Sequence, residues 1–428
     1  MPRIYVETYG CTLNQADSDI IEALLSEAGH SIAKTESGCD VIILNTCTVK
    51  GATENKIMER LKRLVQARKK VVVAGCLVVN EQKLRKVAPS VPLVHPHSLG
   101  RICDAVDSAM RSEPKTFKTQ GPKENLPKLL TAPIMRIPIN EGCTSHCHFC
   151  QTKLARPFLR SYTPKTIMSW INESVRHGAK EIQLTSMDSG AYGLDIKTNL
   201  VSLLHAIDDS SARADSEFFV RLGMINPNHA KRLLPGLIRA LKNERFYKFL
   251  HIPVQTGSEN VCREMNRDHT VKDFVEIVRA VRKQIPDATI ATDIIVGYPT
   301  ETREDFELTK RLLKRTKPDI TNVSKFSPRP GTRARELSQL HNDEIKRRSV
   351  EISALVKKIS AERKKRFIGR TFRVIVTEKQ RDFTGRNINY AQVVVKGFKG
   401  NTGNFVNVKI FDANHGSLFG KPIGRLKE

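Results

Sequence analysis

Residues 143–150 have the sequence Cys143-Thr144-Ser145-His146-Cys147-His148-Phe149-Cys150, a CxxxCxxC spacing that follows the apolar segment 134–139. Because the chain shows no sign of export from the cytosol, three thiols this close together indicate a metal site rather than disulfides. Three thiolates can bind three corners of a [4Fe–4S] cluster and leave the fourth iron without a protein ligand. The segment therefore predicts an iron–sulfur site with one iron available for chemistry.

A zinc site is the alternative interpretation of this segment, because His146 and His148 lie among the cysteines and could supply a fourth ligand. Structural zinc sites usually place their ligands in two separated pairs, and no second CxxC or HxxxH pair occurs nearby in the sequence. We therefore favour iron and sulfide, and we interpret the two histidines as exposed loop residues.

Length, charge and cysteine usage favour a soluble multidomain protein with a polyanionic partner. The 428 residues suffice for about three domains of roughly 150 residues each. Seventy-one Lys and Arg against 45 Asp and Glu give a net charge of +26, which favours RNA as a partner. No apolar run approaches the roughly 18 residues that span a bilayer, and the N-terminus has no signal-peptide pattern. Nine cysteines without a disulfide-framework spacing favour the reducing cytoplasm.

Residues 1–110 alternate between strand and helix patterns, which predicts a doubly wound parallel sheet. The patterns are strands at 3–9, 41–44 and 71–74 and helices at about 17–28 and 53–67.

Cys11, Cys47 and Cys76 each come just after one of these predicted strands. Since the carboxyl ends of parallel strands gather at one edge of a sheet, where ligands bind, the three thiols are expected to converge as a second three-cysteine site. The alternative is that free cysteines are common buried residues and some end strands by chance. The remaining cysteines lack this position: Cys39, Cys103 and Cys262.

The middle of the chain predicts a partial (βα)6 barrel over residues 132–342, reached through a Pro- and Lys-rich linker at 111–131. In barrels of this kind the chemistry takes place at the carboxyl ends of the strands, although each polar strand end is more often a cap or turn. The predicted strands are 134–139, 181–185, 218–222, 249–254, 289–296 and 320–325, and the predicted helices include 165–177, 230–242, 271–284 and 303–315.

The C-terminal part begins with a basic helical connector at 343–367, whose simplest interpretation is a solvated helix between two domains. Short alternating strands with glycine turns then predict a small β-barrel at 368–428. Residues 364–428 contain fourteen Lys or Arg and four Asp or Glu, a charge of +10 that suits a phosphate backbone.

The CxxxCxxC segment, with Phe149 before its third cysteine, resembles the signature of the radical S-adenosylmethionine (SAM) superfamily. With the N-terminal cysteines and the basic C-terminal barrel, the chain resembles the methylthiotransferase family over nearly its whole length. The C-terminal barrel is similar to the RNA-binding TRAM domain. Further matching segments lie at 9–18, 45–49, 254–258, 292–297 and 326–332.

The segments around Cys11 and Cys47 resemble the archaeal and eukaryotic branch of that family. This branch acts on N6-threonylcarbamoyladenosine at tRNA position 37, beside the anticodon, and forms the 2-methylthio derivative. Eukaryotic members carry a hydrophobic C-terminal tail, and residues 424–428 end this sequence without one, so it resembles the soluble archaeal form. Two positions differ from the family pattern: Met187 stands where relatives have Gln or Glu before the aspartate Asp188, and Pro157 replaces the usual glycine after Arg156.

The resemblance implies that the enzyme uses SAM and two [4Fe–4S] clusters. The cysteines of 143–150 would hold the cluster that cleaves SAM to a 5′-deoxyadenosyl radical. Cys11, Cys47 and Cys76 would hold the cluster that delivers methylated sulfur to C2 of adenine, because acid–base side chains alone cannot replace that C–H bond. Resemblance and strand-end position together give five cofactor-binding candidates: Phe149, Asp188, Gln255, Ser258 and Asp293.

As partners we expect the tRNA anticodon stem-loop, SAM and an electron donor that the sequence does not identify. We also expect a cytoplasmic monomer without membrane attachment. Two alternatives keep the enzyme class and change its substrate to isopentenyladenosine in tRNA or to a ribosomal protein. A third, of another class, is a non-catalytic RNA-binding zinc protein.

Overall fold

The computed structural model describes residues 1–119, 121–211 and 217–423. Gln120, in the predicted linker, residues 212–216, and residues 424–428, at the end of the predicted C-terminal barrel, lie outside the described residues. Among the residues that are described, no helix combines the length and the apolar character needed to cross a membrane.

The N-terminal part contains a six-stranded sheet in the order β2-β1-β3-β4-β5-β6, in which every pair of neighbours is parallel. This arrangement confirms the predicted parallel α/β sheet. The elements are β1 (Arg3–Thr8), α1 (Thr12–Glu27), β2 (Ser31–Ile32), β3 (Val41–Thr46), α2 (Gly51–Gln66), β4 (Lys70–Gly75), α3 (Glu81–Val87), β5 (Leu93–Val94), α4 (Ile102–Met110) and β6 (Thr116–Phe117).

Helices cover both faces of this sheet, which explains why its central strand β3 is apolar at successive positions. Val41 and Ile43 pack into one core, with residues of α1 and α4. Ile42 and Leu44 point to the opposite face and pack with residues of α2 and α3. The alternation of side chains along a strand thus requires apolar residues at every position of β3.

The segment 111–131, expected to be a linker, is docked rather than free. Thr116 and Phe117 form the edge strand β6, paired with β5, and Lys123 is 3% exposed. Such short strands lack the length over which periodicity can be recognised in a sequence, so composition alone suggests a linker there. The division into domains stays a prediction.

Six parallel strands form the middle part of the molecule in two three-stranded sheets, β7-β10-β11 and β12-β13-β14. A parallel bridge between Val220 and Phe246 connects the two sheets, so the strands follow one another in chain order as expected for a partial barrel. The elements are β7 (Ile134–Pro138), β8 (Asn140–Glu141), α5 (Thr152–Ala155), β9 (Arg160–Ser161), α6 (Pro164–Arg176), β10 (Glu181–Thr185), α7 (Leu200–Ser211), β11 (Phe219–Arg221), α8 (Pro227–Lys242), β12 (Phe249–His251), α9 (Glu259–Glu264), α10 (Val271–Gln284), β13 (Thr289–Val296), α11 (Arg303–Thr316) and β14 (Ile320–Lys325).

The C-terminal part consists of a long helix and a closed five-stranded barrel in the order β15-β16-β17-β19-β18, as predicted. The helix is not simply a solvated connector, because Ile352 and Ile359 belong to the core of the partial barrel. Tyr390 packs on Tyr247 and Phe249, with ring centroids 4.8 Å apart in both pairs. The small barrel is therefore docked through an aromatic contact. The elements are α12 (Asn342–Lys364), β15 (Thr371–Lys379), β16 (Phe383–Asn387), β17 (Gln392–Val395), β18 (Phe405–Ala413) and β19 (Leu418–Pro422).

Candidate functional site

Cys11, Cys47 and Cys76, here called the N-terminal triad, follow three strands that are neighbours in the sheet. Cys11 directly precedes α1, Cys47 follows β3, and Cys76 follows β4. The order of the sheet reverses between β1 and β3, which is the topological switch point where open α/β sheets bind ligands. The strand order therefore brings the three cysteines to one edge, as the sequence predicts.

Burial and the proximity of the other two thiols determine the pKa of Cys47 in this triad. Cys47 and Cys76 are each 6% exposed, whereas Cys11 is exposed. Burial raises the pKa of Cys47 to about 12; the Val49 N–H, 3.4 Å from Sγ, opposes the shift, and the thiols of Cys11 and Cys76 add to it. The Cys47 thiol therefore stays protonated at neutral pH unless a metal centre replaces the proton, since metal ligands must be thiolates.

A pair of buried asparagines fixes the backbone around the N-terminal triad. Asn14 Nδ2 donates to Asn45 Oδ1 at 2.7 Å, and Asn45 Nδ2 donates to the Asn14 carbonyl and to Ser18 Oγ, both at 2.8 Å. Gly75, just before Cys76, has a φ of +93°, and a Cβ there would lie 2.5 Å from the Thr46 carbonyl oxygen. Only glycine allows β4 to approach β3 so closely at this point.

Cys143, Cys147 and Cys150, here called the barrel triad, lie in one loop after the first strands of the partial barrel. Burial, together with the charge of the Asp188 carboxylate, raises the pKa of Cys143 to about 11. A cation lies beside the next cysteine of the loop, because Arg267 Nη1 is 2.8 Å from Cys147 Sγ. This loop therefore combines buried sulfur with a cation that stabilises a thiolate.

The ligand types in both triads suit an iron–sulfur cluster. Among the described residues, no group of three or more His, Cys, Asp or Glu side chains is arranged to hold a single metal ion. In a mononuclear site every sulfur lies about 2.3 Å from the same ion, whereas in a cubane each cysteine binds a different iron and the sulfurs lie further apart. Three thiols with a guanidinium beside them match the soft, anionic ligand set of a cluster.

Four buried charges connect the two triads. Arg156, 1% exposed, forms ion pairs with Asp17 of α1 and Glu141 of β8. Lys123 Nζ lies 2.5 Å from Asp17 Oδ1 and 3.1 Å from Glu141 Oε1. Arg156 Nε also lies 3.4 Å from Cys76 Sγ. Two acids and two bases thus neutralise each other in the interior and connect the sheet to the loop of the barrel triad.

A cavity of about 1000 Å³ reaches the loops that carry the two triads. Val49, two residues after Cys47, lines it, and so does Phe149, the residue before Cys150, whereas the six triad cysteines are not among its lining residues. Another part of its wall comes from β14 and the loop after it, which includes Arg329. The cavity can therefore admit a ligand close to both cysteine loops.

The other predicted cofactor-binding residues divide into two groups. Asp188 lies beside the barrel triad and accepts hydrogen bonds from Asn226 Nδ2 at 2.7 Å and Gly190 N at 3.0 Å. Ser258 caps α9 and donates to Asp305, while the Gln255 backbone pairs with β13 at a φ of +70°. Of Asp188, Ser258 and Gln255, Asp188 is therefore the residue whose carboxylate lies close enough to the barrel triad to act on Cys143.

Asp293, the last of these candidates, lies in β13 and accepts hydrogen bonds from His251 Nε2 at 3.0 Å and Asn322 Nδ2 at 2.8 Å. Although burial opposes the shift, these hydrogen bonds lower the pKa of the Asp293 carboxyl. Its carboxylate is therefore held ionised within the barrel.

The two histidines of the cysteine segment play backbone-fixing roles here. His146 is exposed, and its carbonyl accepts from Asn266 Nδ2 at 2.9 Å. His148 is half-buried, and its Nδ1 lies 2.8 Å from the carbonyl oxygen of Glu264, to which it donates. The expectation of exposed loop residues thus holds for His146 and only partly for His148.

Several residues of the site have no signal in the sequence. Arg267 and Asn226 contact the barrel triad from two other loops, with Arg267 Nη2 donating to Asn226 Oδ1 at 2.7 Å. Lys123 lies in the segment 111–131, which the sequence predicts to be a linker. Arg156 is the exception, because the sequence draws attention to it: the next residue, Pro157, differs from the family pattern.

Three family models match the chain in order. Residues 3–95 match an uncharacterised protein family, UPF0004; residues 137–313 match the radical SAM superfamily; and residues 365–423 match the TRAM domain.

Curated relatives match along the whole chain. A protein of Archaeoglobus fulgidus is 42% identical over 98% of this chain and 98% of its own length. One of Pyrococcus horikoshii is 38% identical over 99% of this chain and all of its own length. Both are described as probable threonylcarbamoyladenosine tRNA methylthiotransferases. A human protein, described as a threonylcarbamoyladenosine tRNA methylthiotransferase, is 33% identical over 99% of this chain and 75% of its own length.

Solved structures share the fold at low sequence identity. The radical SAM methyltransferase TsrM of Kitasatospora setae, solved with cobalamin and a [4Fe–4S] cluster, aligns with a TM-score of 0.55 at 11% identity over 78% of this chain and 77% of its own. The cobalamin-dependent radical SAM enzyme OxsB aligns with a TM-score of 0.54 at 11% identity over 84% and 56%. These likenesses support the arrangement of an α/β domain followed by a partial barrel.

Proposed function

This chain belongs to the family of threonylcarbamoyladenosine tRNA methylthiotransferases, and we propose that its two cysteine triads hold the two [4Fe–4S] clusters of the enzyme. The enzyme converts N6-threonylcarbamoyladenosine in tRNA to its 2-methylthio derivative and uses SAM as its cosubstrate. In this proposal the barrel triad binds the cluster that SAM contacts, and the N-terminal triad binds the cluster that carries the sulfur. When bound, these groups supply the radical and the sulfur, which no side chain can provide at an adenine C–H bond.

The single observation that carries this assignment is that one cavity is lined by both Val49 and Phe149, which are close in sequence to Cys47 and Cys150. Hydrogen abstraction and sulfur transfer must reach the same carbon, so both centres have to face one space. A cavity that reaches both cysteine loops supports this arrangement.

The surrounding side chains have defined tasks in this proposal. Arg156 and Arg267 stabilise the thiolates of Cys76 and Cys147, because each guanidinium lies within hydrogen-bonding distance of a sulfur. Asp188 orients Asn226, whose Nδ2 also lies 3.8 Å from Cys143 Sγ. These contacts fix the sulfurs and reduce the charge of the loaded site.

For the tRNA, we propose that the substrate is position 37 of the anticodon loop and that the C-terminal barrel holds the stem by charge. The +10 of residues 364–428 supports this, because phosphate contacts dominate the affinity of RNA-binding modules. We further propose a cytoplasmic monomer that receives electrons from a separate donor protein.

The cluster assignment is tested by iron and sulfide analysis after anaerobic reconstitution. About eight irons and eight sulfides per chain are expected for two cubanes, and about four for one. Zinc in place of iron would favour the non-catalytic RNA-binding alternative and contradict the assignment.

The tRNA assignment is tested by changing three exposed basic residues of the small barrel together, Lys379→Gln, Arg381→Gln and Lys399→Gln. We expect weaker binding of tRNA and a shallower dependence on salt, by roughly 0.7–0.9 in the logarithmic slope for each phosphate that the protein no longer neutralises. Nucleoside mass spectrometry of tRNA incubated with the enzyme then identifies the modified base. A 2-methylthio product on isopentenyladenosine, or on a ribosomal protein, would support the alternative substrates instead.

A further inference from the structure

The cavity that Val49 and Phe149 line carries more positive than negative charge. Two carboxylates contribute to its walls, Glu54 and Asp343, against six basic side chains: Lys50, Lys83, Lys325, Arg329, Arg335 and Lys346. An adenine ring by itself is neutral, so this excess of positive charge suits an anionic group close to the base. Phosphates of the loop lie along the RNA backbone, but an anion attached to the base itself would enter the cavity with it.

Arg329 is the basic residue of this wall that is both buried and incompletely paired. It is 6% exposed, and its Nη1 forms an ion pair with Glu54. Its Nη2 is buried and has no hydrogen-bond partner among the described residues. Glu54 is shared with Lys83, whose Nζ lies 2.5 Å from Oε1, so one carboxylate faces two cations. A buried charged donor left without an acceptor is costly, which indicates that a ligand supplies the acceptor.

The backbone around Arg329 is fixed relative to both triads. Gln151, the residue after Cys150, donates through Nε2 to the Pro330 carbonyl at 3.0 Å and to Asn80 Oδ1 at 2.8 Å. The Arg329 carbonyl accepts from Thr332 Oγ1 at 2.8 Å. The guanidinium is therefore held at a set distance from the site of sulfur insertion, which a recognition residue requires.

Gly51, the first residue of α2, lets the start of this helix pack closely against the loop that carries Arg329. A Cβ at Gly51 would lie 2.9 Å from Ser327 Oγ and 4.0 Å from Arg329 Nη2, so a side chain there would press on this loop. In the described structure no side chain caps the start of α2, and its first N–H groups add positive potential at the same place. Helix terminus and guanidinium thus converge on one position.

We propose that Arg329 binds the carboxylate of the threonylcarbamoyl group and thereby selects the modified adenosine over the unmodified one. This rests on the proposed function, because the carboxylate belongs to the nucleoside named for the family. The N6 substituent is attached at C6, which is separated from C2 by N1, and its carboxylate lies several bonds further from the ring. The carboxylate can therefore contact Arg329 while C2 faces the triads. A guanidinium paired on one nitrogen with Glu54 and free on the other suits one further carboxylate oxygen.

The test is a double-mutant cycle in which one axis changes the protein and the other changes the RNA. The protein is the full chain, reconstituted with its clusters, as wild type and as Arg329→Lys. The lysine ammonium keeps the ion pair with Glu54 but lacks the second nitrogen, so the fold is preserved. Arg329→Gln serves as a second variant, and Arg311→Gln, an exposed arginine of α11 outside the cavity lining, is the matched control.

The RNA probes are two anticodon stem-loops of one sequence, carrying N6-threonylcarbamoyladenosine or its methyl ester, and binding is followed by fluorescence anisotropy. Wild type and Arg311→Gln are expected to prefer the free carboxylate by about tenfold or more, the size typical of a charge-assisted hydrogen bond. Both Arg329 variants are expected to bind the two probes with nearly equal affinity. A preference that persists in both variants, or is absent from wild type, or an equal loss for both probes, would overturn the proposal.

A separate anaerobic assay keeps this result distinct from the proposed function. Wild type is incubated with tRNA that carries N6-threonylcarbamoyladenosine, and the nucleosides are analysed by mass spectrometry. If no 2-methylthio product forms, the proposed function fails, while the binding ratios still decide the role of Arg329. If product forms and the ratios are unaltered by the variants, the proposed function stands and the role of Arg329 is refuted.

Discussion

Each triad presents three thiols, but the two triads are built on different scaffolds. In the N-terminal triad successive cysteines are 36 (47−11) and 29 (76−47) residues apart, and three strands bring them together. In the barrel triad the separations are 4 (147−143) and 3 (150−147), and one loop carries all three. The first site therefore exists only when the sheet is folded, whereas the second is largely a property of a short peptide held by its neighbours.

This difference matches the roles proposed for the two sites. A loop with close ligands can leave one iron open beside a wide barrel mouth, where SAM has to enter. A site built at the switch point of a rigid sheet can hold sulfur at a fixed distance from that mouth. The middle part of the chain supplies a cation to each triad, Arg156 to Cys76 and Arg267 to Cys147.

The largest expected effect comes from removing one cysteine of each triad. Cys147→Ala should abolish both SAM cleavage and methylthiolation, because the radical step depends on the barrel triad. Cys47→Ala should abolish methylthiolation and leave SAM cleavage, with iron falling from about eight to about four per chain. The measurements are 5′-deoxyadenosine by chromatography, the modified nucleoside by mass spectrometry, and iron content.

Cys39→Ala is the matched control, since Cys39 is a partly buried thiol of the same N-terminal sheet and lies outside the triad. It should retain iron, cleavage and product. Normal product from Cys47→Ala would remove the second site from the mechanism, and the comparison between the triads would lose its basis.

Arg156→Met should give the next largest effect, because it removes the charge that joins the two scaffolds. Asp17 and Glu141 would then share Lys123 alone in the interior, and breaking a buried pair in this way costs roughly 3–5 kcal/mol. We expect this loss in urea unfolding of the cluster-free protein. In the reconstituted protein, the electron paramagnetic resonance signal of the N-terminal site should change while that of the barrel site stays the same.

The pH dependence of stability provides a second measurement of the same pair. Burial alone would raise the pKa of Glu141, but the charges of Arg156 and Lys123 lower it to about 2, from an ordinary value of 4.5. A carboxyl with a lowered pKa stabilises the fold above pH 4.5, and this contribution is lost as the pH falls towards 2. Arg156→Met should therefore flatten the acid limb of the stability curve.

The double variant that combines Arg156→Met with Asp17→Asn should be less destabilised than the sum of the two single changes. Additive losses would show that the four charges do not act as a network.

Much of the scaffold is predictable from the sequence, because its strands are short apolar runs bounded by polar turns. Strands 181–185, 289–296 and 320–325 and helix 271–284 are predicted to the residue. In the structure, Thr270 and Asp273 form a capping box at the start of this helix. The positions of Cys11, Cys47 and Cys76 follow from the predicted strand ends of the N-terminal sheet, and those of the barrel triad follow from the CxxxCxxC spacing. By contrast, α1 begins at Thr12 rather than near Asp17, since its first turn is polar and no side chain among the described residues caps it.

The buried ion pairs could not be predicted from the sequence, and the reason is physical. Lys123 and Arg156 are 106 and 139 residues from Asp17, and a charge is buried only after its partners arrive from other parts of the fold. Neither periodicity nor composition distinguishes these residues from the many exposed Lys and Arg. The same holds for Arg329 and Glu54, which meet across 275 residues.

The smallest effect that still separates the two scaffolds is expected from Asn45→Ala. Asn45 is fully buried and links α1 to β3 through Asn14 and Ser18, so its removal leaves the Asn14 amide without its main partner. Such a loss costs about 1–3 kcal/mol, to be measured by urea unfolding against Asn172→Ala, an exposed asparagine of α6 for which about 0.5 kcal/mol or less is expected. Iron retained by the N-terminal site should fall in parallel, because that site depends on the alignment of β1, β3 and β4. SAM cleavage should not change, since the barrel triad is formed by its own loop; if cleavage fell as far as iron at the N-terminal site, the two scaffolds would have to be treated as one cooperative unit.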